Sequence, residues 1–139
     1  MTNNRTAIAL VTSLFFLWAL AHNLNPILIP HLRKALQLTD LRSALVDSAF
    51  FIAYFVMALP AGALMKRFSY RAGIVGGLLL FATGTFLFWP AATLRSYPFF
   101  LSALFVIASG LTFLETAANP YISVLGDPAT APRRLNFAQ

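Results

Sequence analysis

Charged residues fall along this chain in clusters and leave four long apolar runs between them, at residues 6–32, 48–65, 72–94 and 96–126. Each run is close to or above the roughly 20 residues that carry an α-helix across about 30 Å of hydrocarbon. The pattern predicts four transmembrane helices, over approximately 7–31, 44–65, 72–94 and 98–125, with the start of a fifth from about residue 134. The connections are short: about 33–47, 66–71 and 95–97, with a tail from Asp127. The first run follows Arg5 and passes Ala19-Leu20-Ala21, which imitates a secretory cleavage site. Hydrophobicity continues through Ile27-Leu28-Ile29, too far for a signal core, so the segment reads as a span.

Composition agrees with a chain whose solvent is lipid. Hydrophobic residues make up 59% and charged residues only 10%, against roughly 25% charged in soluble domains. The chain has no cysteine, which excludes disulfides and thiolate metal sites. No metal, cofactor or catalytic residue is expected, and the chain reads as a membrane protein that is not an enzyme. The net charge of +6 is scattered between apolar runs, a topology signal and not a nucleic-acid surface. With the N-terminus inside, the cytoplasmic side collects Arg5, Lys66, Arg67, Arg71, Arg133 and Arg134. The outer side collects Arg33, Lys34, Arg42 and Arg95, with Asp40 and Asp47 among them. The tightest basic cluster, Lys66-Arg67 with Arg71, favours a cytoplasmic N-terminus.

Glu115 is the one charge in the fourth run. A carboxylate at that depth costs about 2.5–3.5 kcal/mol even on lenient insertion scales, and intramembrane acids are functional by default. Its sequence context is Glu115-Thr116-Ala117-Ala118-Asn119-Pro120-Tyr121. Glu115 and Asn119 are four apart and share a helix face. Pro120 cannot donate a backbone hydrogen bond, which leaves the Thr116 carbonyl to find another partner. The bland alternative is a structural kink with an interhelical hydrogen bond. Glu115 has Thr116 and Asn119 as hydrogen-bonding neighbours and no lysine or arginine within the spans to pair with it.

The first helix holds a second polar island, His22-Asn23-Leu24-Asn25-Pro26, with Pro30 beyond. Trp18, His22 and Asn25 fall on one face, and Asn23 points elsewhere, so the polar arc is broad. His22 reads equally as a proton group or an interhelical hydrogen-bonding residue. The amides of Asn23 and Asn25 suit hydroxyl-rich ligands. Asn25-Pro26 and Asn119-Pro120 each place a helix break at the first member of a three-helix unit. Interrupted segments at matching positions of two repeats point to a midplane binding site.

Between the second and third helices the chain reads Gly62-Ala63-Leu64-Met65-Lys66-Arg67-Phe68-Ser69-Tyr70-Arg71-Ala72-Gly73. Gly62 is expected to permit close helix packing there. The stretch resembles the helix 2–3 loop of the major facilitator superfamily, with Lys66 where that pattern has aspartate. Further strings carry the resemblance along nearly the whole chain. They are Phe15-Phe16-Leu17-Trp18, Asn23-Leu24-Asn25, Ile27-Leu28-Ile29-Pro30, Ser48-Ala49-Phe50, Pro60-Ala61-Gly62, Phe88-Trp89-Pro90-Ala91-Ala92, residues 114–120 and Arg134-Leu135-Asn136. Together they resemble the fucose:proton symporter branch of that superfamily, which includes glucose/galactose transporters.

The resemblance implies an all-α membrane protein: the N-terminal bundle of a major facilitator, with four transmembrane helices of an expected twelve and residues 1–139 as the first part of the transporter domain. It implies sugar:cation symport, with a hexose or 6-deoxyhexose as substrate and a proton as coupling ion, across a bacterial cytoplasmic membrane. The family's helix-four glutamate, which takes part in sugar recognition, falls on Glu115. Its polar cavity positions fall on Asn23 and Gln139, and Asn25, Asn119 and His22 complete the candidate set. The family's helix-one aspartate, tied to proton coupling, is replaced by Pro26, so either Glu115 alone manages protonation, or another group such as His22 does, or transport follows a different ion or none. Two other classes fit the chain as given: a non-transporting membrane piece or interaction subunit, and a small self-assembling four-helix exporter.

Overall fold

The structure is a computed structural model that describes residues 4–139. Four long helices follow one another: α1 (Asn4–Ala35), α2 (Asp40–Arg67), α3 (Tyr70–Thr93) and α4 (Tyr97–Val124). A 3-10 turn (Pro128–Thr130) then leads into the short α5 (Ala131–Ala138). A 28-residue helix such as α2 or α4 is about 42 Å long, more than the hydrocarbon thickness. All four long helices are apolar enough to cross a membrane.

The helices run past the apolar segments that mark them. The first connection, expected over 33–47, closes to residues 36–39. Arg33 and Lys34 stay helical in the last turn of α1, and Asp40 opens α2. Polar helix ends outside the hydrocarbon still gain by satisfying their backbone groups, and local chemistry sets where they stop. Gln37 turns the chain with a φ of 49°. Thr39 accepts a hydrogen bond from the Arg42 amide at 3.4 Å, an N-cap for α2. An Arg33–Asp40 ion pair bridges the two helix ends. Ser69 caps α3 in the same way through the Ala72 amide at 3.2 Å.

The Asn-Pro dipeptides do not interrupt their helices. Pro26 lies within α1 and Pro120 within α4, and both helices continue beyond them. The expectation of broken segments is corrected on this point. A proline removes one hydrogen bond and fixes a helix-compatible φ, so a helix with partners on both sides of it can run through.

Helix α4 is the centre of the bundle and touches α1, α2, α3 and α5. Its inner residues, among them Ala108, Leu111, Ala117 and Ile122, are almost fully buried. The α3–α4 seam is closed by glycines. A Cβ built on Gly110 would lie 2.6 Å from the Phe81 backbone nitrogen and 2.7 Å from the Gly77 carbonyl oxygen. One on Gly84 would lie 2.7 Å from the Ile107 nitrogen. The two backbones meet where these side chains are absent, the small-residue packing that membrane helices favour. Gly62, expected to serve such a contact, does not: a Cβ there meets nothing within 4 Å. On the outside, Phe55 is 85% and Leu59 82% exposed, a surface suited to lipid or further apolar helices.

Arg134 ties the end of α4 to α5. Its guanidinium donates to the carbonyls of Ser123 at 2.9 Å, Ile122 at 3.3 Å and Asp127 at 2.9 Å, and to the Thr130 hydroxyl. Ile122 and Ser123 belong to the last turn of α4, whose carbonyls have no partner within the helix. The clasp folds α5 back so that Ala138 joins Val11, Phe15, Ala118 and Ile122 in a small apolar cluster. It also brings Gln139 up to Asn119.

Candidate functional site

An aromatic face of α1 meets a polar face of α4. A cavity of about 320 Å3 is lined by Phe15, Trp18 and Ala19 of α1, Glu115 and Asn119 of α4, and Gln139. That volume lies at the low end of the roughly 300–1,000 Å3 typical of small-molecule pockets. Glu115 and Asn119 share the face expected from their spacing. Gln139 donates through Nε2 to Asn119 Oδ1 at 3.0 Å, so the two amides hold each other and keep further donors and acceptors for a ligand.

Glu115 is half-buried in this wall. His22 lies close enough to act electrostatically on its carboxylate. Thr116, expected to offer it a hydrogen bond, donates instead to the Thr112 carbonyl at 2.7 Å. A hydroxyl on a helix finds the carbonyl four residues back before it reaches a neighbouring side chain. Among the described residues no group of three or more His, Cys, Asp or Glu side chains is set to hold a metal.

His22 stacks on Trp18, with ring centroids 5.3 Å apart and 14° between planes, as their shared face predicts. It also packs on Phe50 of α2, with ring centroids 5.6 Å apart. The His22 Nδ1 is buried with no hydrogen-bond partner among the described residues, a polar atom left free to meet a ligand or an ordered water. Trp18 in turn donates its indole N–H to the Tyr54 hydroxyl of α2 at 2.8 Å.

The remaining helix-one candidates sit differently. Asn23 is exposed and donates to the Ala19 carbonyl at 2.8 Å, outside the lining of the cavity. The side chain of Asn25 lies outside the described residues. Ala19 as a cavity residue and Tyr54 as a partner of Trp18 are not legible in the sequence. Each sits in an apolar run with no polar pattern to mark it, and its direction depends on how the helices are rotated.

The cavity offers a carboxylate acceptor and two side-chain amides opposite an aromatic wall. Hydroxyl-rich rings, with polar edges and an apolar face, match that set. An all-α multi-pass bundle with a polar cavity between its first and fourth helices has the architecture of a membrane transporter's N-terminal bundle. Residues 7–139 match the sequence model of the Major Facilitator Superfamily, and the chain belongs to that superfamily.

The relatives are sugar transporters by name. The chain is 54% identical over 131 residues to the L-fucose-proton symporter of Escherichia coli (strain K12), covering 94% of this chain and 30% of the relative. It is 53% identical over 133 residues to the glucose/galactose transporter of Brucella abortus (strain 2308), covering 96% and 32%. A crystal structure of the E. coli fucose:proton symporter superposes with a TM-score of 0.83 at 51% identity, over 98% of this chain and 32% of that one. A structure of the transporter FucP in the outward conformation gives a TM-score of 0.83 at 53% identity, covering 96% and 32%. The chain thus spans about a third of the length of the proteins it matches.

Proposed function

We propose that residues 1–139 form the opening part of a secondary active sugar transporter that carries a hexose or 6-deoxyhexose together with a proton. The observation that carries this reading is the meeting of Glu115, Asn119 and Gln139 with Phe15 and Trp18 around one cavity. The functions for which the relatives are named, fucose:proton symport and glucose/galactose transport, support the choice of substrate class and ion. Asn119, Gln139 and the carboxylate of Glu115 bind sugar hydroxyls, and Glu115 takes up the coupled proton with His22 beside it. Pro26 offers no titratable group, which concentrates coupling on these two residues. Asn23, exposed on α1, offers a further amide outside this cavity. The protein resides in a bacterial cytoplasmic membrane with its N-terminus inside, an orientation supported by the Lys66–Arg67–Arg71 cluster between α2 and α3.

Single cysteines in a cysteine-free, full-length background test both site and orientation. Ala19→Cys places a thiol in the cavity wall. A transported sugar at ten times its dissociation constant is expected to slow alkylation by about tenfold, as simple occupancy dictates. Equal alkylation rates with and without the sugar would move the site elsewhere. In the same background Ser69→Cys should label only from the cytoplasmic side and Thr39→Cys only from outside. Labelling of Ser69→Cys from outside, with Thr39→Cys protected, reverses the topology.

A further inference from the structure

Trp18 is constrained from two directions. Its indole face lies against His22, at 5.3 Å and nearly parallel. Its edge is pinned by the 2.8 Å hydrogen bond from Nε1 to the Tyr54 hydroxyl. Tyr54 comes from α2 and is steadied by Phe50, whose ring centroid lies 5.3 Å away. Among the described residues that line the cavity, Trp18 is one and Tyr54 is not. The indole N–H is a donor with no acceptor capacity, so in this half-buried setting it needs one acceptor in one direction. The Tyr54 oxygen is that acceptor. Without it the ring loses the contact that selects its rotamer, and the N–H must find another partner or go unmet.

We infer that Tyr54 is a positioning residue for sugar binding: from behind the cavity, its hydroxyl holds the Trp18 indole in the orientation that forms the aromatic wall beside Glu115 and Asn119. The inference rests on the reading of that cavity as the sugar site. Through this bond the position of α2 bears on a site built from α1 and α4.

Tyr54→Phe removes the oxygen and keeps the ring that packs on Phe50, so the fold is retained. Two readouts in the full-length transporter decide the matter. The first is the indole N–H band in the ultraviolet resonance Raman difference spectrum between parent and Tyr54→Phe. Loss of a hydrogen-bonded indole signal is expected; an unchanged band overturns the inference. The second is a double-mutant cycle on sugar affinity with Trp18→Phe. Tyr54→Phe is expected to weaken binding by about three- to tenfold in the parent, the range that loss of one hydrogen bond gives. It should cause no further loss in the Trp18→Phe background. A loss of the same size in both backgrounds means that Tyr54 acts without Trp18, and no loss in the parent means that it does not act on binding; either result overturns the inference. A parent protein that binds no sugar defeats the reading of the cavity before any variant is made, and the Raman band then decides by itself whether Tyr54 holds the indole.

Discussion

Glu115→Gln is expected to lose gradient-driven sugar accumulation by at least about tenfold, the effect of forfeiting more than about 1.4 kcal/mol of coupling. Exchange of labelled sugar across the same membrane should stay within about threefold of the parent. Glutamine keeps the length, the shape and one acceptor oxygen of the side chain but cannot take up or release a proton. The amides of Asn119 and Gln139 remain paired at 3.0 Å, so the sugar keeps most of its polar partners. On the proposed mechanism coupling fails, because Glu115 is the acid among the residues that line the cavity. Uptake into energised vesicles and counterflow in de-energised ones separate the two quantities. Accumulation and exchange both at parental levels would leave Glu115 with a packing role alone.

Gly110→Val is expected to prevent the bundle from assembling. The first atom it adds lies 2.6 Å from the Phe81 nitrogen and 2.7 Å from the Gly77 oxygen, both main-chain atoms of α3. A flexible side chain could swing away, but a helix backbone cannot unless α3 and α4 separate along the seam. Overpacking commonly costs 1–3 kcal/mol, and with backbone on the far side about 3 kcal/mol or more is expected. The loss should appear as a collapsed yield of monodisperse protein on size-exclusion chromatography. Gly62→Ala is the matched control, because its new methyl group meets nothing within 4 Å. Equal yields and melting temperatures for Gly110→Val and the parent would show that the seam is looser than its geometry states.

The helices were legible because a chain in lipid must satisfy its backbone internally, and four long apolar runs leave few other solutions. Their ends were less so. Whether Arg33 or Asp40 is helical is settled by a cap at Thr39 and a left-handed Gln37, which hydropathy does not register. The prolines misled for a related reason: Pro26 and Pro120 signal a missing hydrogen bond, but the surrounding helix decides whether that gap becomes a break. Glu115 and Asn119 could be placed on one face from their spacing alone, and Trp18 with His22 likewise. Gln139 came only through resemblance, since its approach to Asn119 depends on the Arg134 clasp at the end of α4. Ala19 and Tyr54 carried no signal, because the rotation of α1 and α2 against α4 selects which members of an apolar run face the cavity. The same holds for Gly77, Gly84 and Gly110, whose roles exist only once α3 and α4 are brought together.

The central claim, a proton-coupled sugar pathway built around Glu115, meets its most direct test in vesicles carrying the full-length transporter. Labelled hexoses and 6-deoxyhexoses are supplied under an inward proton gradient, an inward sodium gradient, or neither. At least one of these sugars is expected to accumulate with the proton gradient, a protonophore should abolish the accumulation, and sodium alone should not support it. Accumulation driven by sodium alone, or by neither ion for any sugar of the panel, would contradict that claim.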